Sequence, residues 1–157
     1  MSEPARLADQ IRRAFDGDAW HGDSLLELLD GVNASMAAAH PIKNAHSIWK
    51  LVLHIAAWDD VVLRRSSGAA LELEDEQNFP PIKDASDAAW RKTIAHAKRI
   101  HTQLVKAVAA FPDSRLQDQV PGKTEDHHTF FYMFSGIVQH ELYHAGQIAL
   151  LKKAQIR

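Results

Sequence analysis

Cysteine is absent from this chain of 157 residues. Its absence excludes disulfide bridges, a cysteine nucleophile and any metal site built from thiolates. A chain without cysteine is compatible with a reducing compartment, where disulfides are rare. Any metal or catalytic chemistry must therefore use other side chains, and any reacting thiol has to come from a second molecule.

The chain also lacks long apolar runs and an excess of charge of one sign. No apolar run approaches the roughly 20 residues that a membrane span requires, and the polar segment Met1–Arg6 lacks the apolar core of a signal peptide. The formal net charge is −2, which gives no reason to expect a nucleic-acid partner. We therefore expect a cytoplasmic protein without membrane or nucleic-acid partners, and a single domain over residues 1–157.

Helical periodicity dominates what is present. Leu7, Ile11 and Phe15 repeat on one face and predict a first helix. Longer helices are predicted over about residues 45–65, 86–111 and 126–153, and the helix over 45–65 is apolar nearly all round, as in the centre of a bundle. A short extended piece is expected within 116–120, with no β-sheet. These patterns predict an all-α fold, a four-helix bundle with long crossover connections.

Ten histidines are many for this length, and two of them are spaced like metal ligands. His140 and His144 lie four residues apart on the last predicted helix, so their Cβ atoms are about 5–6 Å apart on one face. Two imidazoles in this arrangement can reach one metal ion. The segment from His140 to His144 also matches the H-E-x-x-H motif of zinc proteases. None of the residues after His144 is His, Asp, Glu or Cys, so no residue after the motif can supply a third ligand.

A third ligand must therefore come from an upstream helix. His54 is the best candidate because it lies on the core-facing side of the helix over 45–65, where a buried histidine needs a partner. His101, on the helix over 86–111, is the rival ligand, or otherwise a hydrogen-bonded core residue. Glu141 is the candidate catalytic residue, as a general base one position after His140; the alternative is a surface or supporting carboxylate. A di-iron site is excluded because its E-x-x-H pairs need separate helices.

Three segments of the chain resemble one known family. They are the loop Trp20-His21-Gly22, the helical run from Ser47 to His54 followed by Trp58, and the run from His140 to Gln147 that reads His-Glu-Leu-Tyr-His-Ala-Gly-Gln. In this combination the chain resembles the DinB/YfiT-like metalloenzymes. The resemblance implies a four-helix bundle, often a homodimer, in which a divalent ion is held by three histidines, here His54, His140 and His144.

The resemblance also bears on chemistry. Nickel or zinc is the expected ion, with iron or manganese as alternatives, and some relatives are transferases that use a low-molecular-weight thiol such as bacillithiol, mycothiol or glutathione. We therefore expect a small thiol and an electrophile as partners. A three-histidine ion can activate either a thiol or a water molecule, so a metal-dependent hydrolase and a non-catalytic metal-binding protein stay open as alternatives.

Overall fold

The computed structural model describes residues 1–156, which form helices joined by irregular segments. The α-helices are α1 (Glu3–Asp16), α2 (Leu25–Leu29), α3 (Ala34–Ala38), α4 (Ile48–Ser66), α5 (Asp75–Asn78), α6 (Asp87–Ala109) and α7 (Phe130–Lys153). A short 3₁₀ helix spans Asp113–Arg115. Within residues 1–156 there is no β-strand, so the all-α prediction is confirmed. Of the four long helices, α1 and α4 each pack against both α6 and α7.

Side-chain caps set where α4 and α6 begin. The Ser47 hydroxyl accepts from the Lys50 amide at 3.2 Å, and the Ser86 hydroxyl accepts from the Ala89 amide at 3.2 Å. Such a cap satisfies one of the amides that the first helical turn leaves free. The helix predicted from residue 45 therefore begins at Ile48.

The start of α7 is the largest departure from the predicted boundaries. The helix expected from residue 126 begins at Phe130, after the cap Thr129. The preceding residues are held in an extended connection, in which Gln119 and Thr129 form an isolated antiparallel bridge. The Val120 amide donates to the His128 carbonyl at 2.9 Å. These bonds occupy backbone groups that an earlier helical turn would have needed. Of the extended piece expected over 116–120, only Gln119 takes part in the bridge, whereas residues 116–118 form a turn and a bend.

Two tryptophans anchor the core between α4 and α6. The Trp49 and Trp90 rings lie 5.1 Å apart, and both are buried. Each indole N–H has an acceptor: Trp49 donates to the Thr93 hydroxyl at 3.0 Å and Trp90 to the Val32 carbonyl at 2.8 Å. Large apolar burial with a satisfied polar atom is a favourable way to fill a core. This packing fixes the face of α4 that turns toward α7.

Among residues 1–156, no helix is both long enough and apolar enough to cross a membrane.

Candidate metal centre

Helices α4 and α7 bring three histidines together. His54 projects from α4, and His140 and His144 project from successive turns of α7. The Nε2 atoms of His54 and His140 are 2.9 Å apart, and one nitrogen from each of the three rings lies within 4.8 Å of the others. The predicted residues therefore converge in the fold, although His54 and His140 are 86 positions apart in sequence.

Hydrogen bonds orient two of the three rings. His54 Nδ1 donates to the backbone carbonyl of Asn78 at 2.8 Å, and His144 Nδ1 donates to Gln147 Oε1 at 2.9 Å. A neutral imidazole that donates through Nδ1 has its lone pair on Nε2. This outer support of ligand rings is a recurrent feature of histidine metal sites. His140 Nδ1 is buried and has no hydrogen-bond partner.

Burial keeps the three imidazoles neutral. It lowers the pKa of His54 and of His144 below the usual value. For His140, burial together with the neighbouring His144 and His54 lowers the pKa to about 3. A metal ligand must be unprotonated, so the site presents neutral nitrogen donors at pH 7 without first losing protons.

Aromatic rings cover the His54 side of the centre. The Phe79 ring stacks on His54 at 4.1 Å and also on His46 at 4.2 Å. The Trp58 indole N–H donates to Asn78 Oδ1 at 2.9 Å, which ties α5 to α4. The segment that supplies the Asn78 carbonyl is therefore fixed by its own side-chain contacts.

A cavity of about 240 Å³ lies next to residues that surround the three histidines, although none of the three lines it. It is bordered by His46 and by Gln147, the residue that supports His144, and its remaining walls are apolar: Ile42, Ala45, Leu51, Leu150 and Leu151. Small-molecule pockets are typically concave and largely apolar with a few polar groups. The centre thus has an adjoining space of the size and character that suit part of a small organic molecule.

Glu141 does not join the three histidines. Its carboxylate lies with Asp59 from α4 and His101 from α6, and all three side chains are buried. His101 Nδ1 donates to Asp59 Oδ2 at 3.0 Å and lies 3.2 Å from Glu141 Oε1, outside hydrogen-bond geometry. The residue that follows His140 is rotated by about 100° around the helix axis, and this rotation carries Glu141 to a different part of the core.

The charges in this second group depend on one another. Burial, reinforced by the Asp59 carboxylate, raises the pKa of Glu141 to about 8. For His101, burial favours the neutral ring, but the hydrogen bond to Asp59 and the negative charges of the Asp59 and Glu141 carboxylates outweigh burial and raise its pKa to about 9. In the absence of a metal ion, a protonated His101 and a protonated Glu141 are therefore favoured near neutral pH.

The sequence does not identify Asn78 as a support of a ligand ring. Asn78 acts through its backbone carbonyl, which no side-chain pattern reveals. Gln147 carried a usable signal, because it lies three residues after His144 and shares its helical face. Away from both groups, His128 pairs with Glu125 at 3.0 Å and His96 is exposed beside Arg99.

Comparison with known proteins identifies one family. Residues 19–148 match the family model described as the DinB superfamily. The match spans α2 to most of α7 and includes all three histidines. No curated protein and no solved structure matches the chain significantly.

Proposed function

The chain belongs to the DinB superfamily, and from this premise we propose that it binds one divalent metal ion at His54, His140 and His144 and uses it to activate a low-molecular-weight thiol. The observation that carries the proposal is the convergence of three imidazole nitrogens within 4.8 Å, from the buried His54 and His144 and the half-buried His140. We further propose that the long helices form the four-helix bundle expected for this family. Nickel or zinc suits an all-imidazole donor set best, with iron or manganese as alternatives.

The residues present suit such an ion. Asn78 and Gln147 accept from the Nδ1 atoms of two rings, which leaves both Nε2 lone pairs available. The 2.9 Å between the Nε2 atoms of His54 and His140 is close to the separation of about 3.0 Å between adjacent donors around an ion with bonds of about 2.1 Å. Little rearrangement is needed to bring these two nitrogens to one ion.

A divalent ion held by neutral imidazoles supplies charge that stabilises a thiolate, or a hydroxide, at neutral pH. The protein's own groups would define where a substrate lies. The apolar walls of the cavity beside Gln147 would receive the apolar part of a small substrate. Phe79 and Trp58 hold the His54 side closed, so access is expected from the side of α7 that carries Gln147.

Thiol transfer is favoured over hydrolysis by the placement of Glu141. A hydrolase of the H-E-x-x-H type uses this glutamate as the base for water. Here the Glu141 carboxylate is fully buried beside His101 and Asp59. Its role as a general base stays a prediction, and thiol transfer requires no such base at this position. The hydrolase and the non-catalytic metal-binding protein remain the alternatives.

The test uses metal-loaded protein, a panel of bacillithiol, mycothiol and glutathione, and a haloarene as the electrophile. The expected reaction forms a carbon–sulfur bond, releases halide and releases the thiol proton. Thiol consumption should require the ion and be lost in His144→Ala. The matched control is His96→Ala, which removes an exposed histidine of α6 and should retain full activity.

Other outcomes select the alternatives. Cleavage of a peptide or amide that is lost in Glu141→Gln, without thiol consumption, supports the hydrolase. Tight metal binding with no turnover across the panel supports the non-catalytic protein.

We also propose that the protein is a cytoplasmic homodimer. Tyr132, Tyr143 and Leu150 are more than half exposed, and their spacing of eleven and seven residues places them along one face of α7. Exposed apolar residues aligned in this way commonly mark contact surfaces. A second copy of the chain is the partner we propose for this face.

A further inference from the structure

A second group of potential ligands lies apart from the three histidines. Asp59, His101 and Glu141 come from three different helices, α4, α6 and α7, and their side chains are 0–4% exposed. Each offers one donor atom within 4.8 Å of the others. Three long helices that pack together thus direct one histidine and two carboxylates to the same point in the core.

The polar atoms of this group are incompletely paired. Asp59 Oδ1, His101 Nε2 and both oxygens of Glu141 are buried without a hydrogen-bond partner. Burying such an atom without a partner destabilises the folded state, and more so when the atom is charged. Among residues 1–156, His101 is the only cationic side chain within ion-pair distance of either carboxylate. The protein groups alone therefore leave four buried polar atoms of this group without a hydrogen-bond partner.

The donor spacing suits a metal ion. His101 Nδ1 is 3.0 Å from Asp59 Oδ2 and 3.2 Å from Glu141 Oε1. Adjacent donors around an ion with bonds of about 2.1 Å are about 3.0 Å apart in an octahedral site and about 3.4 Å apart in a tetrahedral one. Both observed distances lie in this interval.

We propose that Asp59, His101 and Glu141 form a second divalent-cation site, distinct from the three-histidine centre. An ion would displace the protons of His101 and Glu141; the two carboxylates and the neutral imidazole then carry a charge of −2, which one divalent cation cancels. Carboxylate donors favour harder ions than imidazoles do, so Mn²⁺ or Fe²⁺ is the expected class. The site does not depend on the thiol chemistry proposed above, because it shares no ligand with the histidine centre.

The experiment separates the two sites by mutation. Metal-depleted His54→Ala/His144→Ala protein is titrated with Mn²⁺, and free Mn²⁺ is measured by electron paramagnetic resonance. About one bound Mn²⁺ per chain is expected. Adding Asp59→Asn to this background should weaken binding at least tenfold, whereas the control Asp60→Asn should not, because Asp60 pairs with Arg64 at the surface. No binding up to millimolar Mn²⁺ by folded double variant overturns the proposal.

A second measurement does not depend on the variants folding. Crystals of the unmodified protein soaked in Mn²⁺ should show an anomalous peak between Asp59, His101 and Glu141. A peak at the three histidines alone would overturn the second site while supporting the first.

Discussion

Gln147→Leu tests whether the support of a ligand ring contributes to metal binding. In the native protein, Gln147 Oε1 accepts from His144 Nδ1 at 2.9 Å, which fixes the ring and the nitrogen that carries its lone pair. Leucine keeps a similar size and a high helix propensity, but it removes the acceptor. The substitution therefore changes the hydrogen bond while leaving all three metal ligands in place.

The structure also limits how large the effect can be. Loss of such a partner typically lowers metal affinity about 10–100-fold, which corresponds to about 1.4–2.8 kcal/mol. Gln147 is only partly buried and borders a cavity, so a water molecule can replace part of the lost interaction. We therefore expect a loss near tenfold.

The assay is competition for Ni²⁺ or Zn²⁺ against a chromophoric chelator. Gln147→Glu should restore affinity, since a carboxylate also accepts from the Nδ1–H. The control Gln139→Leu alters an exposed residue of the same helix and should change nothing. If Gln147→Leu binds within twofold of the native protein while His144→Ala loses the ion, the reasoning about ring support is refuted.

Three further outcomes are expected. In metal-free protein, His101 has a pKa raised from 6.5 to about 9, so its contribution to stability is complete below pH 6.5 and is lost as the pH rises through 9. The stability lost is on the order of 3 kcal/mol. Thermal unfolding measured across this pH range should show a smaller decline in melting temperature for His101→Gln than for the native protein, and equal declines contradict the assignment. Trp90→Phe should lower the free energy of unfolding by about 1–3 kcal/mol in urea titrations, because the buried Val32 carbonyl loses its donor; an unchanged midpoint contradicts this. Light scattering should give twice the mass of one chain, and a monomer at micromolar concentration rejects the dimer.

The convergence of the three histidines was predictable because it rests on two regular patterns. Helical spacing places His140 and His144 on one face, and the apolar surroundings of His54 imply that it needs a buried partner. The Asn78 carbonyl was not predictable in the same way. A backbone acceptor carries no side-chain signal, and its position depends on how the short helix α5 lies over α4.

Helical periodicity alone also does not predict the environment of Glu141. The helix over 48–66 is apolar on most of its faces, so its pattern does not indicate which side meets α6 and which meets α7. The sequence gives no sign that Asp59, within that helix, is buried. Its burial depends on the packing of α6, which brings His101 against it. The beginning of α7 was missed for a related reason, since backbone bonds between distant residues outweighed local helix propensity.

The placement of Glu141 changes how its variants must be interpreted. A loss of activity in Glu141→Gln would ordinarily be taken as evidence for a general base. Here the same substitution also disturbs a buried group that includes Asp59 and His101, so activity alone does not separate the two explanations. Asp59→Asn alters that group without touching the helix that carries His140 and His144. If both substitutions reduce activity equally, Glu141 acts through the buried group that it shares with Asp59 and His101; if Glu141→Gln alone reduces it, a direct role in proton transfer is supported.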